Sequence, residues 1–403
     1  MILQLAIIGG CIWTIDRLWD HDRRWIKRTW KRTMEENNLM NDKGSTYNIA
    51  RINPAEYGFL LIVSMPPGYS FKELNDKKEI LESSLKGVVE MEHDLFNGWI
   101  TMRLVKNPLK DLHFEPVKTR PNELYLGYTY YEHIIADMNV YPHLLIAGIN
   151  GSGKTRGLYT ILTNLLHNHT VEEIEIYMSQ IGKTDLLIYR DCPQVRKFAR
   201  SPEDSLKMYR YLYGEMKRRE KVIEGLMKQG TYNIEDYNRR HKEALRYIYV
   251  VSDEFSLYMP DATDSRAEKD LKEECLDTLK KLIKLGRAYG IFVIMSLQKT
   301  TNDQMPQLLK SQVNCKMTFR QTDVYSSRNI IDNDDALTLQ KREAILISDR
   351  RYRVKTPFID DMLIKKYLLN AAGVTEERKS IVDLHVKLHT VKEEDGVIRR
   401  ANG

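Results

Sequence analysis

Apolar positions in this chain gather into short continuous runs, separated by longer stretches with helical spacing. The runs Gly58–Val63, Gly98–Leu104, Leu144–Ala147, Tyr247–Val251 and Gly290–Leu297 are short and rich in β-branched and aromatic residues, so each predicts a strand. The last three are apolar at nearly every position. That suits parallel strands covered on both faces. Between the runs, Phe71–Val88 and Leu271–Tyr289 predict helices, the second with Leu276, Leu279, Leu282, Ile283 and Ala288 on one apolar side. Strands alternating with helices over residues 124–358 predict an α/β domain with a doubly wound, mostly parallel sheet. A smaller α/β domain is expected over 49–123, behind a polar, turn-rich linker at 34–48. Residues 1–33 form an apolar and then basic N-terminal segment, and 359–403 comprise one apolar helix and a charged tail.

The run Leu144–Ala147 leads directly into Gly148, Ile149, Asn150, Gly151, Ser152, Gly153, Lys154 and Thr155, which fit G-x-x-x-x-G-K-[ST] at every fixed position. A strand, a glycine-rich loop and a helix in that order make a phosphate cradle. Glycines allow the tight turn that aims successive backbone N–H groups and a helix N-terminus at one anion. Lys154 is expected to reach the β- and γ-phosphates, and the Thr155 hydroxyl to ligate Mg²⁺. The pattern predicts a P-loop NTPase of RecA-like build with ATP and Mg²⁺ as cofactors.

About a hundred residues on, the run Tyr247–Val251 ends in Ser252, Asp253 and Glu254. Carboxylates at the C-terminal end of a parallel strand fall where ligands bind in open α/β sheets. Asp253 is assigned to Mg²⁺, and Glu254 to the attacking water as general base. The run ending at Leu297 is followed by Gln298, a candidate hydrogen-bond partner for the γ-phosphate or the lytic water.

Composition adds bounds. A length of 403 residues allows two or three domains. The net charge of +6 is too mild to demand nucleic acid by itself. Cys11, Cys192, Cys275 and Cys315 are widely spaced with no C-x-x-C pair, which predicts free thiols in a reducing compartment and no structural zinc. Met1–Ile15 falls short of the roughly 17–25 apolar residues that span a bilayer. Two readings stay open for it, a short membrane anchor or a helix docked on protein. As an anchor, it would have the following basic residues holding the bulk of the chain on the cytoplasmic face.

Further segments, in order, carry a resemblance. Tyr141–Thr155 resembles the P-H-L-L-[VI]-A-G-x-x-G-S-G-K-[ST] signature of the FtsK/SpoIIIE-type DNA-translocating ATPases. Gly182-Lys183, Glu215–Arg219, Asp236–Asn238, Asp253–Phe255, Gly286–Ile291 and Ser327–Asp332 follow in the family's order. Two positions depart from it: Gln298 is flanked by Lys299-Thr300, and Lys316 stands where the family has an arginine. The resemblance implies a homohexameric ring with ATP at subunit interfaces and DNA threaded through the channel by sequence-tolerant backbone contacts. Arg328 is then the first candidate, and Arg320 the second, for an arginine reaching a neighbouring subunit's phosphate. In outline the chain looks like the coupling proteins of Gram-positive conjugative elements, with a relaxase and membrane channel components as implied partners. Two alternatives remain open: an FtsK-like ATPase energising protein secretion, and a nucleotide-gated adaptor that docks a relaxase–DNA complex.

Overall fold

A computed structural model describes residues 21–40, 44–107, 109–298 and 311–369. The candidate anchor at 1–20, Cys11, the Lys299-Thr300 flank and the tail from 370 lie outside the described residues. None of the described helices is long and apolar enough to cross a membrane. The chain divides into two compact units, Met1–Lys110 and Asp111–Gly403.

In the first unit, β1 (Asn48–Ala55), β2 (Gly58–Ser64), β3 (Val88–Asp94) and β4 (Trp99–Val105) form an antiparallel sheet in the order β1-β2-β4-β3. Helix α1 occupies residues 21–36, and the stretch predicted as one helix splits into α2 (Phe71–Asn75) and α3 (Lys78–Leu85). Asp76 and Lys77 break the run between them. Residues 34–48, read from their polarity as a linker, instead contribute to the core. Met34, Leu39 and Tyr47 are buried there with Ile26 and Trp30, and the Trp30 indole N–H donates to the Tyr47 carbonyl at 2.7 Å. Apolar residues spaced among polar ones hid this packing, because the burying partners are strands far along the chain.

The second unit holds β5 (Glu123–Tyr128), β6 (His133–Asp137), β7 (Leu144–Ala147), α4 (Lys154–Asn168), β8 (Ile174–Gln180), β9 (Val195–Ala199), α5 (Pro202–Leu226) and α6 (Ile234–Arg240). It continues with β10 (Tyr247–Asp253), α7 (Arg266–Leu285), β11 (Ile291–Leu297), β12 (Cys315–Phe319), α8 (Val324–Ile331), β13 (Glu343–Ile347), β14 (Arg351–Lys355) and α9 (Asp361–Leu369). All ten strands make one sheet, ordered β6-β5-β14-β13-β12-β7-β11-β10-β8-β9. From β9 to β12 the neighbours are parallel, and from β12 to β6 they are antiparallel. The period-2 alternation of a strand sorts its residues between two cores. Leu144 and Ile146 pack with α4 residues Leu158, Ile161, Leu162 and Leu165, whereas Leu145 and Ala147 face α5 and α7. Every residue of β7, β10 and β11 is buried, as the unbroken apolar runs require.

Helix ends follow local chemistry. Ser201 caps α5 by accepting from the Asp204 N–H, with Pro202 in the first turn, and Ser265 and Glu268 form a reciprocal capping box on α7. The last arginine of the Glu215–Arg219 motif is a structural tie. Its buried guanidinium donates to the carbonyls of Arg246 and Tyr289, each at 2.8 Å, and so fastens α5 to the loops that enter β10 and β11.

His143, at the entry to β7, gives a pH-dependent stability. It is 1% exposed, and its Nδ1 accepts from the Val293 N–H at 3.0 Å. Burial pushes its pKa from 6.5 down to about 4, outweighing the Ile283 carbonyl that favours the proton. The unfolded chain therefore binds a proton here between the two values and the folded chain does not, so stability is lost as pH falls through that window. Lowering pH from about 7.5 to about 5 is expected to remove about 2 kcal/mol through this residue. His143→Asn, which tolerates the residue's positive φ of 66°, is expected to flatten the slope. Denaturant midpoints of both proteins at the two pH values check this.

Candidate active site

The phosphate loop occupies the turn between β7 and α4, at the C-terminal edge of the parallel strands. Gly148 N–H donates to the Leu297 carbonyl at 3.2 Å, and Ile149 N–H to the Arg320 carbonyl at 3.2 Å, so β11 and the end of β12 pin the loop's start. Ser152 is buried and folds back, its hydroxyl donating to the Ile149 carbonyl at 2.6 Å. Gly153 precedes α4 with φ 118°, and a Cβ there would lie 2.8 Å from the Arg342 Cα. Both the backbone angle and the close approach demand glycine. Beyond the loop opens a cavity of about 470 Å³, lined among others by Asn150, Gly151, Lys154, Thr155, Lys183 and Gln298. The N-terminus of α4 faces this space with no side-chain cap. Such a helix end suits an anion.

Lys154 is 7% exposed, and its Nζ makes no hydrogen bond. Burial pulls its pKa below the usual lysine value, against the pull of Glu254. An ammonium held dry and unsatisfied costs stability unless a ligand completes it. A phosphate in the loop would do so. The residues present therefore fit the nucleotide that the motif implies.

Asp253 ends β10, and its Oδ2 accepts from the Gln180 side-chain amide at 2.9 Å. Gln180 in turn accepts from the Leu186 N–H at 3.1 Å. Among the described residues only the Oδ2 of Asp253 accepts a hydrogen bond.

Glu254 follows in the left-handed region, with φ 61°, an uncommon conformation for a side chain of this size. It is 6% exposed and takes contacts on both oxygens. Oε1 accepts from the Ser256 hydroxyl at 2.7 Å and the Gln298 N–H at 3.3 Å. Oε2 accepts from Lys183 Nζ at 3.0 Å and lies 3.6 Å from Lys154 Nζ. Burial pushes the carboxyl up, but Lys154, Ser256 and Lys183 together hold it below the usual glutamate value. Glu254 is therefore an ionised carboxylate at neutral pH, as a general base must be.

The structure brings together Lys154, Thr155, Asp253, Glu254 and Gln298. Gln298 meets Glu254 through its backbone N–H. Arg328 lies elsewhere, on the exposed face of α8, with its guanidinium forked onto Asp334 at 2.6 and 3.0 Å. Arg320 is exposed just past β12 and touches the loop through its carbonyl. Sequence reasoning missed Gln180 and Ser256, and it read Lys183 only as part of the Gly182-Lys183 motif, without a role at the site. Gln180 had a partial signal, since it ends an apolar run as Gln298 does, but its place beside Asp253 follows only from the β8–β10 register.

The chain is similar to known proteins over the span that holds these residues. The FtsK/SpoIIIE family profile matches residues 118–343. The chain is 27% identical over 250 residues to the DNA translocase FtsK of Oceanobacillus iheyensis, covering 58% of this chain and 30% of that protein. The DNA translocase SpoIIIE of Bacillus subtilis is matched at 27% identity over 250 residues, with the same shares. The chain thus spans about a third of the length of the curated relatives it matches. Among solved structures, the pCW3 conjugation coupling protein TcpA, a monomer form with ATPγS, superposes with a TM-score of 0.61 at 20% identity, over 85% of this chain and 98% of that one. EssC ATPases 2 and 3 from Geobacillus thermodenitrificans give 0.55 at 18% identity, over 65% and 50%. These likenesses carry the α/β P-loop ATPase fold. The matched span holds the phosphate loop, Asp253, Glu254 and Gln298, and the chain belongs to the FtsK/SpoIIIE family.

Proposed function

We propose that this chain is an ATP-hydrolysing DNA translocase that couples DNA transfer to conjugation. The observation that carries the hydrolytic part is the buried Lys154 ammonium, left without a hydrogen bond at a helix N-terminus 3.6 Å from an ionised Glu254. The loop amides and Lys154 bind the phosphates, and Glu254 takes a proton from a water aimed at the γ-phosphorus. Thr155 and Asp253 would hold Mg²⁺, which would draw charge from the phosphate oxygens. Gln298 lines the same cavity, and its role in this reading is to orient that water.

DNA as the track is supported by family membership and by the names of the matched relatives. The TcpA-like fold over most of the chain favours the coupling role. A homohexameric ring follows as a proposal, with Arg328 of one copy leaving Asp334 to reach the neighbour's phosphate. The basic residues that follow the apolar N-terminal segment favour the cytoplasmic face of the membrane. A relaxase and channel components are the partners this reading implies.

The test is the ATPase rate of the full chain with and without single- or double-stranded DNA, alongside Arg328→Ala. Stimulation of at least tenfold by one strand form is expected, with most of it lost in the variant and nucleotide affinity unchanged. A rate indifferent to all DNA overturns the translocase reading. Undiminished stimulation in Arg328→Ala overturns the trans role alone.

A further inference from the structure

Both oxygens of Glu254 already hold partners in the nucleotide-free site. Oε1 is taken by Ser256 and the Gln298 N–H, and Oε2 by Lys183, with Lys154 beside it. A general base needs a free lone pair aimed at the proton it removes. The contacts on Oε1 come from the base's own loop and from the end of β11, so they move with the scaffold. Those on Oε2 come from two ammonium groups that both line the nucleotide cavity. The nucleotide-free arrangement therefore caps the base through the very groups that face the phosphates.

We infer that Lys183 is a γ-phosphate-reading residue, which caps Glu254 in the absence of a triphosphate and releases it when the γ-phosphate arrives. This rests on the reading of Glu254 as the base. Lys183 stands on the turn after β8, behind Gly182, which has φ 68° and open space where a Cβ would be. Its side chain is 28% exposed, against 7% for Lys154, so its head group has room to swing. Two cations now share one carboxylate oxygen. A terminal phosphate carries more negative charge than a carboxylate and offers three acceptor oxygens. It draws Lys183 off Oε2, and the vacated lone pair takes the water. With a diphosphate the terminal group stops short, Lys183 stays on Glu254, and the base remains capped. Lys183 would thus tie base release to the one phosphate that the reaction removes.

The experiment is binding of ATPγS and of ADP, both with Mg²⁺, to the full chain by calorimetry, for wild type, Lys183→Met and Lys183→Arg. Glu254→Gln turnover is measured in parallel. Loss of one charge-assisted contact is worth about tenfold in affinity. Lys183→Met is expected to bind ATPγS about tenfold more weakly and ADP within about twofold of wild type, and Lys183→Arg is expected to recover most of the preference. An unchanged ATPγS-to-ADP ratio in Lys183→Met, or an equal loss for both nucleotides, overturns the role of Lys183. Wild-type turnover in Glu254→Gln overturns the underlying reading of the base, whatever the binding ratio does.

Discussion

Replacing Glu254 with glutamine is expected to lower ATP turnover by roughly a thousandfold while tightening, not weakening, nucleotide binding. The amide keeps the size and hydrogen-bonding reach of the carboxylate but cannot take the proton of the attacking water. The sign of the binding change follows from the charges around it. In the nucleotide-free protein Glu254 neutralises two ammonium groups, Lys183 at 3.0 Å and Lys154 at 3.6 Å. Removing that negative charge leaves both cations facing the phosphate cavity uncompensated. Affinity for ATPγS is then expected to rise roughly tenfold, about 1.4 kcal/mol. Single-turnover hydrolysis and equilibrium binding measured on the same variant separate the two effects. Turnover within tenfold of wild type would remove Glu254 from the role of base.

The same residue marks how far the sequence could be read. The strand–loop–helix context of Gly148–Thr155 and the acidic end of the Tyr247 run were legible because each feature is local: a strand's apolar run, then the residues that must follow it at its C-terminal edge. The parallel half of the sheet was legible for the same reason, since β7, β10 and β11 are buried throughout. What stayed hidden depends on register between distant strands. Gln180 supports Asp253 only because β8 lies beside β10 in a particular alignment, with the two residues paired. Lys183 reaches Glu254 across 71 positions of sequence for the same reason. The packed stretch at 34–48 was hidden by composition, because a few buried apolar side chains among polar neighbours look like a loop until the sheet they cover is known. Arg328 shows the opposite limit. A motif can be read residue by residue, yet within one copy its guanidinium is spent on Asp334.

Replacing Lys154 with methionine should separate function from stability most sharply, because the two effects run in opposite directions. The side chain is sealed in the core of the site, and its ammonium has no hydrogen bond while the phosphates are absent. Its lowered pKa says that desolvation outweighs the attraction of Glu254, so folding is opposed by this charge. Methionine keeps the apolar stem and removes the charge, while Glu254 retains Lys183 and Ser256. The nucleotide-free protein is therefore expected to gain about 1 kcal/mol, seen as a small rise in Tm. Nucleotide affinity is expected to fall by roughly a hundredfold, about 3 kcal/mol, since two charge-assisted contacts to phosphate vanish. Thermal melts with and without ATPγS read both at once. The wild type melts low and climbs with ligand, whereas the variant melts higher and does not respond. A variant that melts well below the wild type without ligand would make Lys154 a structural residue. The opposed signs are what a site held ready for a triphosphate requires. The protein carries an unsatisfied cation through its resting state, and the phosphates recover that cost on binding.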